Sequence, residues 1–313
     1  MKYFKPFIPF IACWILLFNS NNFQSIALIN GIGQLMLFLF VVCIPIWKTG
    51  RMSYVDIGWP WGVALIGLIT YCQINAMTLS KTLVITAYIL IGSRMGLGAL
   101  KMWSAGLLKK EFPRYEYQKI RWKKSNKTNI SLAMQVEALS QGLANASFLA
   151  IPIFLISVSP STQLSPLEII GFTIFILSIV LETVADYQKL KFLKEMKRQN
   201  KKNMVCDIGL WKYTRHPNYF AEWMVWNGLI IASIPSYIAL FNSEVLWLWT
   251  LIGVALVYTS RIMYITLVYL TGAVPSEYYS AQKRPAYKAY QQSTNIFFPV
   301  SYTHLTLPTT PYV

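Results

Sequence analysis

Long runs without a charged residue alternate along the chain with short, strongly basic segments. A helix rises about 1.5 Å per residue, so crossing about 30 Å of hydrocarbon takes roughly twenty residues. Runs of that order lie at residues 4–18, 26–46, 57–71, 82–100, 131–158, 167–185, 219–240 and 245–270. The pattern predicts an all-α, polytopic integral membrane protein with about eight transmembrane helices. The first and third runs are short for a full crossing. A signal peptide is the competing reading of the first, but no clear small-x-small cleavage site follows it.

The connections between these runs differ sharply in charge. Lys2 and Lys5 open the first run, and Lys48 and Arg51 separate the second from the third. Dense basic segments run from Lys101 to Lys127 and from Lys189 to Arg215, and Lys283, Arg284 and Lys288 follow the last run. Lys81 is the one basic residue in the alternate connections. The positive-inside rule then puts both termini and all the basic segments in the cytosol, in what we expect to be a bacterial inner membrane. An even number of crossings agrees with this.

Composition points the same way. Hydrophobic residues make up 55 % of the chain and charged residues 13 %, about half the charged fraction of roughly 25 % in a soluble domain. Aromatic residues at 15 % exclude a disordered chain. The net charge of +16 belongs to topology and to anionic phospholipid at the basic loops, not to nucleic acid. Cys13, Cys43, Cys72 and Cys206 are dispersed, and His216 and His304 are the only histidines. No metal site, histidine-rich di-iron centre or bis-histidine haem can be assembled from that set. Redox chemistry would need an organic cofactor. No glycine-rich phosphate fingerprint or βαβ alternation is present, so a nucleotide would have to lie among the helices, drawn by the basic segments.

Ionisable residues inside the apolar runs are costly unless paired or wet, and they are the best pointers to function. Arg94, Glu137, Glu182, Glu222 and Arg261 qualify. Glu182 and Asp186 stand four apart, on one helix face, and repel unless a cation or donors lie between them. Arg215 or Arg261 is the expected cation. A structural ion pair between helices is the plainer reading. The densest motif is "DIGLWKYTRHPNYFAEWMVWNG", residues 207–228. Gly209 permits a tight turn, and Pro217 with Asn218 predicts a helix start, Pro in its first turn and Asn as its cap. That start gathers Arg215, His216 and free backbone N–H groups into an anion pocket. Tyr213 can add a hydroxyl or merely anchor the interface, and Asn218 and Glu222 share a face.

The run "GLWKYTRHPNYFAEW", the preceding "LETVADYQKLKF" and the terminal "SEYYSAQKRPAYKAYQQSTNIFFP" resemble the steroid 5-alpha-reductase C-terminal domain. "RMSYVDIGWPWG" and "EALSQGLANASFLAIPI" are similar to its bacterial branch of largely uncharacterised membrane proteins, which is related to isoprenylcysteine methyltransferases. The resemblance implies a helical membrane reductase that holds NADPH among the C-terminal helices and passes hydride to an enone of a steroid-like or isoprenoid lipid. Carried over by position, Asp186, Asn218 and Glu222 match cofactor residues, and Glu182 stands where the steroid enzymes have Asn. Around these, Tyr213, Arg215, His216 and Arg261 complete the expected cofactor set.

The steroid enzymes' N-terminal Glu and Tyr, which polarise the substrate ketone, have no clear counterpart. Tyr54 and Asp56 in "SYVDIGW" are the expected replacements, with Tyr115 and Tyr117 next in line. The chain is expected to divide into N-terminal helices (1–50), a reductase-like domain (51–299) and a tail (300–313). The tail resembles translated vector sequence, so His304 is given no role. Two other function classes compete with the reductase. They are an S-adenosylmethionine-dependent membrane methyltransferase and a non-catalytic lipid-binding or transport protein.

Overall fold

The computed structural model describes residues 3–300. The tail beyond residue 300 lies outside the described residues. No strand occurs among the described residues, and the elements are helices throughout. They are α1 (Lys5–Phe18), α2 (Gln24–Thr49), α3 (Met52–Gln73), α4 (Leu79–Ser104), α6 (Ile130–Val158), α7 (Pro166–Arg198) and α8 (Pro217–Leu240). An amphipathic α5 (Pro113–Lys124) precedes α6. After α8 come α9 (Leu246–Ile265), α10 (Ala273–Lys283) and α11 (Tyr287–Ser293).

Among the described residues, seven helical segments are long and apolar enough to cross a membrane, the last running from Leu246 through a π-turn to Lys283. The eighth expected crossing is α1. It is apolar but shorter than the others, and its fourteen residues would span about 21 Å.

Small residues set the closest helix contacts, as expected where lipid offers no hydrophobic drive between helices. A Cβ on Gly228 would lie 2.7 Å from the Phe175 backbone nitrogen, and one on Gly171 would collide with that of Ala232. These two glycines let α7 and α8 meet backbone to backbone. Gly92 does the same for α4 against Pro60 and Ala64 of α3. α7 begins with a capping box in which Ser165 and Glu168 satisfy each other's backbone N–H groups.

The N-terminal half is joined by buried amides. Gln34 Nε2 donates to Gly62 O at 2.8 Å, and Asn145 Nδ2 donates to Trp59 O at 3.1 Å. Asn30 Nδ2 donates to Asn145 O at 3.2 Å. Amides without such partners would each cost a few kcal/mol in hydrocarbon, so these bonds specify how α2, α3 and α6 meet. Trp226 of α8 fills the centre, edge-on to Tyr88 of α4 at 5.8 Å.

Candidate active site

The start of α8 is built on α7. Gly209 has φ +57°, a left-handed conformation that favours glycine. A Cβ there would also collide with the Gln188 side chain. The turn that follows is fastened by Leu210 N donating to Gln188 Oε1 at 2.9 Å and Trp211 Nε1 donating to Ala185 O at 2.9 Å. Pro217 takes the first turn of α8, as expected. The capping position belongs to His216, and no side chain caps the helix. Asn218 is instead one residue inside, and its Nδ2 donates across to Asp186 Oδ1 at 3.1 Å.

The cation for Glu182 and Asp186 is Arg94 of α4. Its guanidinium pairs directly with Glu182 and lies 4.0 Å from Asp186. The expected cations are elsewhere. Arg215 Nε and Nη2 bond Glu277 of α10 at 2.7 and 3.1 Å, and Nη1 donates to the carbonyls of Gln291 and Thr294. Arg215 thus ties α10 and α11 to the head of α8. Arg261 lies on the exposed face of α9, remote from these groups.

Two cavities meet at this point. The outer one, of about 200 Å³, is lined by Lys189, Arg215, His216, Asn218, Ser276, Ser280 and Arg284, among others. The inner one, of about 230 Å³, is lined by Asp56, Arg114, Tyr115, Glu222 and apolar side chains that include Met95, Met102 and Met263. Tyr219 lines both. His216 stacks on Tyr219, and its Nε2–H donates to Glu277 Oε1 at 3.0 Å. Burial pushes the His216 pKa down, against the opposing pull of Glu277. The imidazole is therefore held toward its neutral form.

In the inner cavity Tyr115 donates to Asp56 Oδ1 at 2.7 Å, and Arg114 pairs with Asp56 Oδ2 at 2.5 Å. Burial pushes the Tyr115 phenol well above its ordinary range, so it stays protonated. Glu222 is buried beside them with no hydrogen bond to any described residue. A proline at position 60 of α3 leaves the Asp56 carbonyl without its helical donor, loosening the helix where it borders this cavity.

The structure therefore gathers Arg215, His216, Asn218 and Tyr219 around one cavity, with Asp186 behind Asn218, and Asp56 and Glu222 around the next. Tyr54 is placed apart: it lines neither cavity, and its hydroxyl accepts from Arg51 Nη2 at 3.3 Å. Tyr213 is exposed and engaged through its backbone, its N–H donating to Leu210 O and its carbonyl accepting from Val300 N. Sequence reasoning missed Arg114 and Tyr219. The position of Tyr219 three residues after His216, on one helix face, was an available signal.

One family model matches residues 44–294, and its description is "Protein of unknown function (DUF1295)". That match covers most of the chain, which belongs to this family. No curated protein and no solved structure matches the chain.

Proposed function

We propose, with membership of that family of unknown function as the premise, that the chain is an NADPH-dependent membrane reductase. Its substrate would be a carbon–carbon double bond in an enone of a steroid-like or isoprenoid lipid. One observation carries this reading. Tyr219 is the shared wall of a basic outer cavity and a largely apolar inner one.

The outer residues suit a phosphorylated nucleotide. Lys189 and Arg284 border the cavity and offer cations to phosphate. Asn218 Oδ1 is buried without a hydrogen-bond partner, an acceptor available to an amide or ribose hydroxyl. Lys189, His216, Asn218 and Arg284 would hold NADPH, with Asp186 orienting Asn218. When bound, the cofactor supplies hydride. S-adenosylmethionine carries no phosphate and makes no use of these cations, which favours the reductase reading over a methyltransferase.

The inner residues suit the other half of the reaction. Reduction of an enone places negative charge on the carbonyl oxygen, which needs a preorganised donor. Tyr115 is that donor: its phenol is protonated, buried and already aimed at the oxygen of Asp56. Asp56, held by Arg114, orients the phenol until a substrate oxygen competes for it. The methionine side chains adapt to an apolar ring system and exclude water.

The test is a titration of detergent-purified protein with NADPH and with S-adenosylmethionine, following tryptophan fluorescence. Saturable quenching by NADPH alone is expected. Saturable binding of S-adenosylmethionine with no response to NADPH overturns the proposal.

A further inference from the structure

Arg261 belongs to neither cavity. It lies on the lipid-facing side of α9 at one end of a groove of about 570 Å³. Thr250, Val254, Val257, Tyr258 and Arg261 line this groove, and their spacing of three and four makes them a single stripe. From Thr250 to Arg261 the stripe is about 16 Å long. Tyr237 of α8 forms the opposite wall, stacked on Trp249 with centroids 4.8 Å apart. Gly253 keeps that wall close, because a Cβ there would collide with the Tyr237 phenol.

Arg261 makes no hydrogen bond or ion pair with any described residue, and no acidic side chain lines the groove. A guanidinium facing hydrocarbon is costly without a counter-ion, and its long stem lets it reach toward the head groups. Its depth allows that reach. Trp223 Nε1 donates to Ser260 O at 3.1 Å, so Arg261 lies level with Trp223. That is about 7 Å below Asn218 at the head of α8, a distance close to the length of an arginine side chain. Tyr258, one turn deeper and also without a hydrogen-bond partner among the described residues, provides a hydroxyl at the level expected for glycerol esters.

We propose that this groove seats one anionic glycerophospholipid, with its phosphate on Arg261 and an acyl chain along α9. A free anion would use the cation but leave the apolar stripe uncovered. A zwitterionic lipid would bring an ammonium group for which the groove has no carboxylate. The site is independent of the cavities on the other face of α9.

The experiment is native mass spectrometry of the detergent-purified protein with added dioleoylphosphatidylglycerol or dioleoylphosphatidylcholine. One retained phosphatidylglycerol per chain is expected, held more firmly than phosphatidylcholine. Arg261→Gln should lower that retention by roughly fivefold, the scale of one cation near an anionic head group. Val257→Trp, which fills the groove and leaves the cation, should lower it as well. Lys81→Gln, outside the basic connections, should not. All variants are compared at matched thermal melting temperature, so a misfolded one is recognised. Equal retention of the two lipids, or undiminished phosphatidylglycerol in both groove variants, overturns the proposal. A concentration-dependent dimer abolished by Val257→Trp would give the groove to a second copy and overturn it too.

Discussion

The His216 imidazole lies flat on the Tyr219 phenol, with ring centroids 5.2 Å apart and planes within 1°. His216 borders the outer cavity and Tyr219 borders both, so this stack is the partition between them. Its rigidity comes from two sides. Glu277 holds the imidazole at Nε2, and the head of α8 carries both rings, His216 at its cap and Tyr219 in its first turn.

Removing the partition should uncouple the two halves of the site. Tyr219→Ala is expected to weaken NADPH binding by up to about tenfold, the worth of one aromatic pair. Tyr219→Phe should bind normally. Fluorescence titration of both variants checks this, and equal affinities in Ala and Phe would remove the ring from the binding surface.

The bond from Asn218 to Asp186 joins α8 to α7 beside the outer cavity. Asn218→Ala and Asp186→Ala should each lower nucleotide affinity by about tenfold, since bonds to charged groups contribute about 1.5–3 kcal/mol. The Asp186 carboxyl is about half exposed, which places the effect at the lower end. Melting temperatures should stay within a few degrees of the parent protein.

Arg215 and Glu277 are a stability pair. Both are more than nine-tenths buried, and removing one partner leaves an uncompensated charge. Glu277→Ala is expected to cost about 3–5 kcal/mol and to lower the melting temperature of detergent-purified protein sharply. Glu277→Gln, which keeps an acceptor for Arg215, should cost less. An unchanged melt in Glu277→Ala would show that the tie of α10 and α11 to α8 carries no load.

Tyr115→Phe removes the donor without touching the outer cavity. Enone reduction should fall by roughly 10²-fold or more, the scale of a lost oxyanion donor, while NADPH affinity is retained. Asp56→Asn should fall in parallel, through misorientation of the phenol. Tyr54→Phe, by contrast, should keep full turnover, because its hydroxyl faces Arg51 outside the cavity. Measuring turnover and binding separately in all three distinguishes these outcomes.

Gly171→Leu tests the backbone contact between α7 and α8. No rotamer relieves a clash with the Ala232 backbone, so the helices must separate and carry Asp186 away from Asn218. Loss of folded protein on size-exclusion chromatography is expected. A well-folded variant would mean that the close approach is dispensable.

The helix pattern was legible because hydrocarbon demands long uncharged runs, and seven of those runs are full-length helices in the structure. The facing of Glu182 and Asp186 was legible for a similar reason: residues four apart share a helix face whatever surrounds them. Their cation was not. Arg94 is distant in sequence from Glu182, and nothing local says that α4 packs beside α7 at that height. Arg215 was the nearer choice by motif, yet Glu277 claims it through the fold of the C-terminal segments. Asn218 followed the proline that marks the helix start, but its partner Asp186 comes from another helix.

The sequence by itself determined an all-helical membrane chain, its basic connections and the local start of α8 at Pro217. Those features follow from length, charge and backbone chemistry within a few residues. Only the tertiary structure decided which ionisable groups pair, that Tyr115 rather than Tyr54 meets Asp56, and that Tyr219 divides two cavities. Each of these is a contact between separate helices. It depends on the distances of approach that Gly92, Gly171 and Gly228 permit, and no periodicity along the chain encodes those.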